Sequence, residues 1–260
     1  MHLFLSTILV PLGLAVGVLL MLEAGRKVGI WRRQRGDEPG GGGATEGAVF
    51  AIFGLLIAFT FSGAAARFDA RRTLIGQEAN DVGTAWLRLD LLPGDQQASL
   101  RNDFRQYLDL RIAGFRSAHD LEAATSHLAS ADQLQARIWK TAIAACRADP
   151  APATTTLMLP ALNAMFDIAT TRLMATRTHP PLILFVLLIA LALVCAFLAG
   201  NALVAEHPNR LHAFGFSLVI ACTVYVILDM EYPRLGFIRI DEADQVLIDL
   251  RATMGPATAP

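Results

Sequence analysis

Apolar residues along this chain gather into four blocks free of Asp, Glu, Lys and Arg: Leu3–Leu22, Gly47–Ala66, Pro180–Ala205 and Leu211–Leu228. A helix of about 20 such residues crosses the roughly 30 Å hydrocarbon core of a bilayer. The pattern therefore predicts an all-α, four-span integral membrane protein with an extramembrane helical bundle between spans two and three. Its expected domains are a first transmembrane hairpin with a basic, Gly-rich link (1–66), a helical domain (67–179), a second hairpin (180–228), and a C-terminal turn with a short amphipathic helix (229–260). The first block lacks a basic segment ahead of its apolar run and has no clear small-residue cleavage pattern, so a retained span is expected rather than a cleaved signal.

Punctuation between the blocks sharpens this picture. Span one is followed by Arg26, Lys27, Arg32, Arg33 and Arg35, and then by a flexible link through Gly36, Pro39 and Gly40–Gly43. Glu46 precedes span two, either as a charge favouring the helix N-terminus or as an ion-attracting group. Nothing breaks the helical pattern after Ala66. Phe68, Ile75, Val82 and Leu89 recur at intervals of seven, with Ala79 and Trp86 between them, an apolar seam for packing against other helices. Pro93-Gly94-Asp95 is expected to end that helix.

The next helix is predicted from near Ser99, with Leu100, Phe104, Tyr107, Leu108, Arg111 and Phe115 on one side. Arg111 interrupts the stripe and must snorkel or pair with an acid. Ser130 and Gln133 have the form of a capping box opening a helix with Leu134, Ile138, Trp139 and Ile143, stopped by Asp149-Pro150-Ala151-Pro152. A further helix runs from Thr154–Thr156 to Thr178 despite Pro160, with Leu162, Met165, Phe166, Ala169 and Leu173 as its packing face. A short link at Glu206-His207-Pro208-Asn209-Arg210 makes spans three and four an antiparallel pair. Asp241, Glu242 and Asp244 open a last amphipathic helix carrying Val246, Leu247 and Leu250.

Charge adds less. The 260 residues are 54% hydrophobic and 17% charged, with a formal net charge of -1, so no concentrated basic surface points to a nucleic-acid partner. Four spans put both termini and the middle domain on one side. Arg67, Arg71, Arg72, Arg172, Arg177, Arg234 and Arg239 flank that side, against Arg26, Lys27, Arg32, Arg33, Arg35 and Arg210 on the other. The positive-inside rule is nearly tied.

Chemistry-bearing motifs are scarce. Gly40–Gly43 lacks the strand, helix and lysine of a phosphate loop. Asp69 and Glu78 stand nine apart and form no paired-acid centre, and His119 and His127 are too widely spaced for a helical metal pair. Cys146, Cys195 and Cys222 fit no metal or redox spacing and are expected as small packing residues. No catalytic residue, metal ligand or cofactor site is predicted.

Span two carries the distinctive chemistry. Thr60, Ser62 and Gly63, followed by Ala64–Ala66, suit either close helix packing or a wet path. Arg67, Asp69, Arg71 and Arg72 follow, either as interfacial anchors or as the charged mouth of a pore formed by several copies.

The run from Phe59 through Arg72 resembles the segment after the pore helix of bestrophins. It is more similar still to bacterial bestrophin-like membrane proteins, with which Glu78-Ala79-Asn80, Gly83-Thr84-Ala85, Leu87–Pro93 and Leu228–Arg239 also agree. That resemblance implies a homo-oligomer, a pentamer in bestrophins, in the bacterial inner membrane with a cytoplasmic helical domain. It also implies an inorganic-ion path lined by span two. Phe59 is then the constriction, with Leu55 and Ala51 successively one turn earlier, a spacing that puts all three on one helix face; ordinary packing is the alternative for Phe59. Ala51 and Leu55 depart from the bulky pattern of the family. Bestrophins bind calcium on an acidic segment after their last span, but Asp229 and Glu231 are only two acids and Asp241 and Glu242 lie apart, so no calcium site is expected. Two functions remain open: an ion channel, favouring anions through its arginines, or a non-conducting scaffold or sensor whose helical domain binds partners.

Overall fold

The computed structural model describes residues 2–36, 43–92, 94–117, 120–148, 152–202, 210–234 and 236–256. Eight α-helices form in these segments: α1 His2–Gln34, α2 Gly43–Arg88, α3 Gly94–Arg116, α4 Leu121–Ala148, α5 Pro152–Arg177, α6 Leu182–Ala202, α7 Arg210–Glu231 and α8 Gln245–Thr253. Single 3₁₀ turns at Leu89–Leu91 and Asp241–Asp244 follow α2 and precede α8. Among the described residues there is no strand, and four stretches are long and apolar enough to cross a membrane. The chain is an all-α membrane protein. Much of the Gly-rich link, the link between spans three and four, Pro93 and His119 lie outside the described residues.

The chain divides into two compact units, Met1–Arg67 with His179–Ile238, and Phe68–Thr178 with Arg239–Pro260. In the first, α1 packs on α6 and α7. Its core gathers Leu14, Val18, Leu22, Phe53, Leu188, Ala192, Cys195, Val224 and Ile227. Two glycines bring α1 and α6 together: a Cβ on Gly25 would sit 2.0 Å from the Phe197 carbonyl oxygen, and one on Gly200 would sit 2.0 Å from that of Leu22. Small residues at crossings let helix backbones approach where lipid tails leave no hydrophobic gain between helices. The Ser217 hydroxyl adds a bond across the bundle, donating to the Ala15 carbonyl at 2.8 Å.

The second unit is a helical bundle. The seam is buried at Ile75, Val82 and Trp86 on α2 and at Leu89 in the turn that follows, and the stripe on α3 is buried at every expected position. Trp86 meets Phe104 with ring centroids 6.3 Å apart, and Trp139 meets Phe166 edge-on at 6.4 Å.

Three details differ from the sequence expectation. α3 starts at Gly94, a full turn before Ser99. α4 starts at Leu121, so Ser130 is interior, where its hydroxyl donates back to the Ser126 carbonyl at 3.0 Å. The cap is Asp120, whose Oδ1 accepts from the amides of Glu122 and Ala123, both at 3.1 Å, the usual way a short acidic side chain satisfies orphan helix donors. α5 continues on both sides of Pro160, as expected. Finally, Cys146 and Cys195 are buried but Cys222 is exposed, so it is no packing residue within the chain.

Candidate functional site

α2 runs unbroken for 46 residues, as the absence of a breaker after Ala66 predicts. In its membrane portion Ala51, Leu55, Phe59 and Ser62 are all exposed, whereas Phe53 and Ala64 are buried. Phe59 is the largest of the exposed set, with 68% of its surface open. Steps of four and three residues place these side chains along one side of the helix. Thr60 is only half exposed. Its hydroxyl donates within the helix to the carbonyls of Leu56 at 2.8 Å and Ile57 at 3.0 Å, so its proton is already committed.

Beside this helix lies a cavity of ≈ 130 Å³. Leu56, Phe59, Thr60, Gly63 and Arg67 of α2 form one wall; Pro180, Leu184, Phe185, Ile227 and Glu231 form the others. Its walls are apolar except at the end where Arg67 meets Glu231. The Arg67 Nε donates to Glu231 Oε1 at 2.8 Å, and Nη2 donates to the same oxygen. Glu231 is 1% exposed, so neighbouring side chains rather than water satisfy its carboxylate. The other carboxylate oxygen stands 3.5 Å from His179 Nδ1, and the imidazole stacks on Tyr232 with centroids 4.7 Å apart.

The sequence groups Arg67, Asp69, Arg71 and Arg72 as one charged cluster; their contacts are distinct. Arg67 takes the carboxylate just described. Arg71 is buried in the second unit, its Nε donating to the Ala175 carbonyl at 3.1 Å and its Nη2 to that of Thr178 at 2.9 Å. It thereby satisfies carbonyls at the C-terminus of α5, an end that favours cations. Asp69 and Arg72 are exposed and 3.8 Å apart.

An acid in the last turn of α7 takes a role that spacing could not show. Asp229 is fully buried, and its Oδ2 accepts from the amides of Phe237 at 3.0 Å and Ile238 at 2.7 Å. A Cβ on Gly236 would fall 1.3 Å from Asp229 Oδ1, so a larger residue there would push this carboxylate off the two amides. Among the described residues no group of three or more His, Cys, Asp or Glu is arranged to hold a metal ion.

The second unit holds a charged group within its core. Glu78 is 0% exposed; its Oε1 accepts from Arg111 Nε at 2.6 Å and its Oε2 from Arg172. Arg172 also donates to Asp244 at 2.8 Å. Phe115 stacks under both guanidiniums, 5.0 Å from Arg111 and 3.7 Å from Arg172. Burial alone would push Glu78 up, yet the two arginines outweigh it and hold its carboxyl below the ordinary range. Tyr107, beside this group, is pushed up to about 12 by burial. An acid partner for Arg111 was foreseeable; the four-residue group was not, because Arg111 and Arg172 lie 33 and 94 residues from Glu78 and Asp244 lies 72 from Arg172.

Fold and geometry thus define a class: a four-span helical membrane protein in which one long helix presents an uncovered apolar face and then enters a charged helical bundle. The chain belongs to the Bestrophin-like family, whose domain model matches residues 29–245. Solved structures agree. A bacterial Bestrophin homologue from Klebsiella pneumoniae superposes with a TM-score of 0.68 at 16% identity, covering 93% of this chain and 98% of that one. A point mutant of it gives 0.70 at 16% over 94% and 98%. A structure described as a membrane protein gives 0.70 at 15% over 96% and 99%. At these identities the likeness is one of fold. A search of curated proteins returns no match.

Proposed function

We propose that this chain is the subunit of a homo-oligomeric ion channel, pentameric as the bestrophin resemblance implies, with α2 lining the path. The observation that carries this reading is the exposed face Ala51, Leu55, Phe59 and Ser62 on a membrane helix of a Bestrophin-like protein. One copy supplies too few helices to enclose a path, so the walls come from neighbouring α2 helices. Phe59, the bulkiest of the four, forms the constriction and restricts or dewets the path. Ser62 offers a hydroxyl near one end; the Thr60 proton is spent inside its own helix.

Anion preference draws on Arg67 and Arg72. Arg67 is neutralised by Glu231, Arg72 is offset by Asp69, and Arg71 is turned to backbone carbonyls. The resulting field is weak, so anion-over-cation discrimination is expected to be modest. The membrane is the bacterial inner membrane, with the helical bundle on the cytoplasmic side.

Ion flux into liposomes containing the purified oligomer tests the reading. The wild type conducts, and Phe59→Ala raises flux several-fold by widening the narrowest ring. No flux at verified oligomer incorporation would overturn conduction and favour the scaffold reading.

A further inference from the structure

We propose that Arg105, with Arg101 and Arg251 beside it, forms a binding site for a phosphate-type oxyanion on the helical bundle. Arg101 and Arg105 stand one turn apart on α3, and Arg251 stands on α8. The guanidiniums of Arg101 and Arg105 lie 4.4 and 5.3 Å from the centre of the Trp86 ring. Arg101 is matched by Asp90, and the Arg251 Nε and Nη2 donate to the two oxygens of Asp109 at 2.8 and 3.0 Å. Arg105 pairs with no carboxylate among the described residues. Its Nε donates to the Met254 carbonyl at 2.9 Å, and its two Nη groups meet no acceptor among those residues.

Three guanidiniums thus gather around two carboxylates, and the charge left over falls on part-buried Arg105. Burial, then Arg251 and Arg101, push the Arg105 guanidinium below its ordinary value. The cluster therefore holds a repulsion that a bound anion relieves. The Arg105 fork is also fixed in advance. The Met254 carbonyl holds its Nε and the Trp86 ring supports it, so little side-chain freedom remains to be lost on binding. The free Nη groups match two oxygens of one tetrahedral oxyanion, whereas a halide offers a single point of contact. Arg251 Nη1 donates to the Gly255 carbonyl at 3.0 Å, next to the carbonyl that holds Arg105. An occupant therefore joins α3 to the end of α8. Nothing in this site draws on the channel reading.

Equilibrium dialysis of radiolabelled inorganic phosphate against the full-length protein tests the site. The protein is kept in a phosphate-free detergent at neutral pH, in physiological sodium chloride, where exposed charges are screened beyond about 8 Å. Wild type is expected to take up phosphate saturably, one per chain. Arg105→Gln lowers the affinity about tenfold or more, the loss of a charge-assisted contact. Arg147→Gln, at an exposed arginine on α4, leaves the affinity unchanged. Where Arg105→Gln yields no folded protein, Arg105→Lys is measured in its place. Lysine keeps the charge but loses the fork, and several-fold weaker binding is expected. Unlabelled competitors identify the source of the phosphate group. Displacement by glycerol phosphate points to a soluble monoester, displacement by short-chain phosphatidylglycerol to a lipid headgroup, and displacement by neither to free phosphate; each supports the site. No uptake above the chloride background overturns it, as does equal affinity in wild type and the folded Arg105 variant.

Discussion

The two compact units solve the same problem, holding helices together, with opposite means. In the membrane unit, α1 and α6 meet through backbone approach at Gly25 and Gly200, with apolar side chains filling the rest. In the bundle, helices meet through large side chains such as Phe104, Tyr107 and Ile138, and around the buried Glu78, Arg111, Arg172 and Asp244. The contrast follows from the surroundings. Between helices already in lipid, apolar burial gains little, and close contact must supply the attraction. In water, burial drives packing, and a neutral set of paired charges is tolerated within it because each member has a partner.

Substitution at the glycine crossing should show this difference most strongly. A methyl at Gly25 or Gly200 meets a backbone carbonyl that cannot rotate away, so Gly25→Val and Gly200→Val are expected to abolish the folded species. Gly54→Ala, where no atom lies within 4 Å of the added Cβ, should be tolerated or slightly stabilising, since alanine favours the helix by about 1 kcal/mol. Yield of monodisperse protein and its unfolding temperature read both. Equal tolerance at Gly25 and Gly54 would refute the close-contact account.

A smaller effect is expected in the bundle. Glu78→Gln removes the charge on which two buried arginines depend and should destabilise it by about 3–5 kcal/mol. Because the folded-state pKa of Glu78 is depressed, its contribution is fully present above the unfolded carboxylate value of about 4.3. It is lost as pH falls through the lower folded value. Acid unfolding should therefore begin at higher pH in Glu78→Gln than in wild type, followed by circular dichroism. Coincident acid transitions would show that Glu78 contributes nothing.

The same contrast explains what the sequence disclosed. Four charge-free blocks and the unbroken run past Ala66 show the spans and the length of α2, because lipid and helix period act on neighbouring residues. The seam at Ile75, Val82 and Leu89 and the stripe from Leu100 to Phe115 were legible for the same reason. Features that depend on distant partners were not. Arg71 reads as a mouth charge until the end of α5 is seen beside it. Glu231 reads as a stray acid until Arg67 and His179 flank it. Ser130 reads as a cap because its local motif fits, yet Asp120 starts the helix earlier. For the candidate site, periodicity groups Ala51, Leu55 and Phe59, but only the fold shows that this side is left uncovered.

Whether that uncovered side faces water decides the account. Single cysteines at Ala51, Leu55, Phe59 and Ser62, in a background where exposed Cys222 is replaced by serine, can be challenged with a membrane-impermeant thiol reagent in the assembled protein. The account predicts modification at all four with progressive block of flux, and protection at Phe53 and Ala64, which are buried within the subunit. Protection of all four, in an oligomer of verified size, would contradict it.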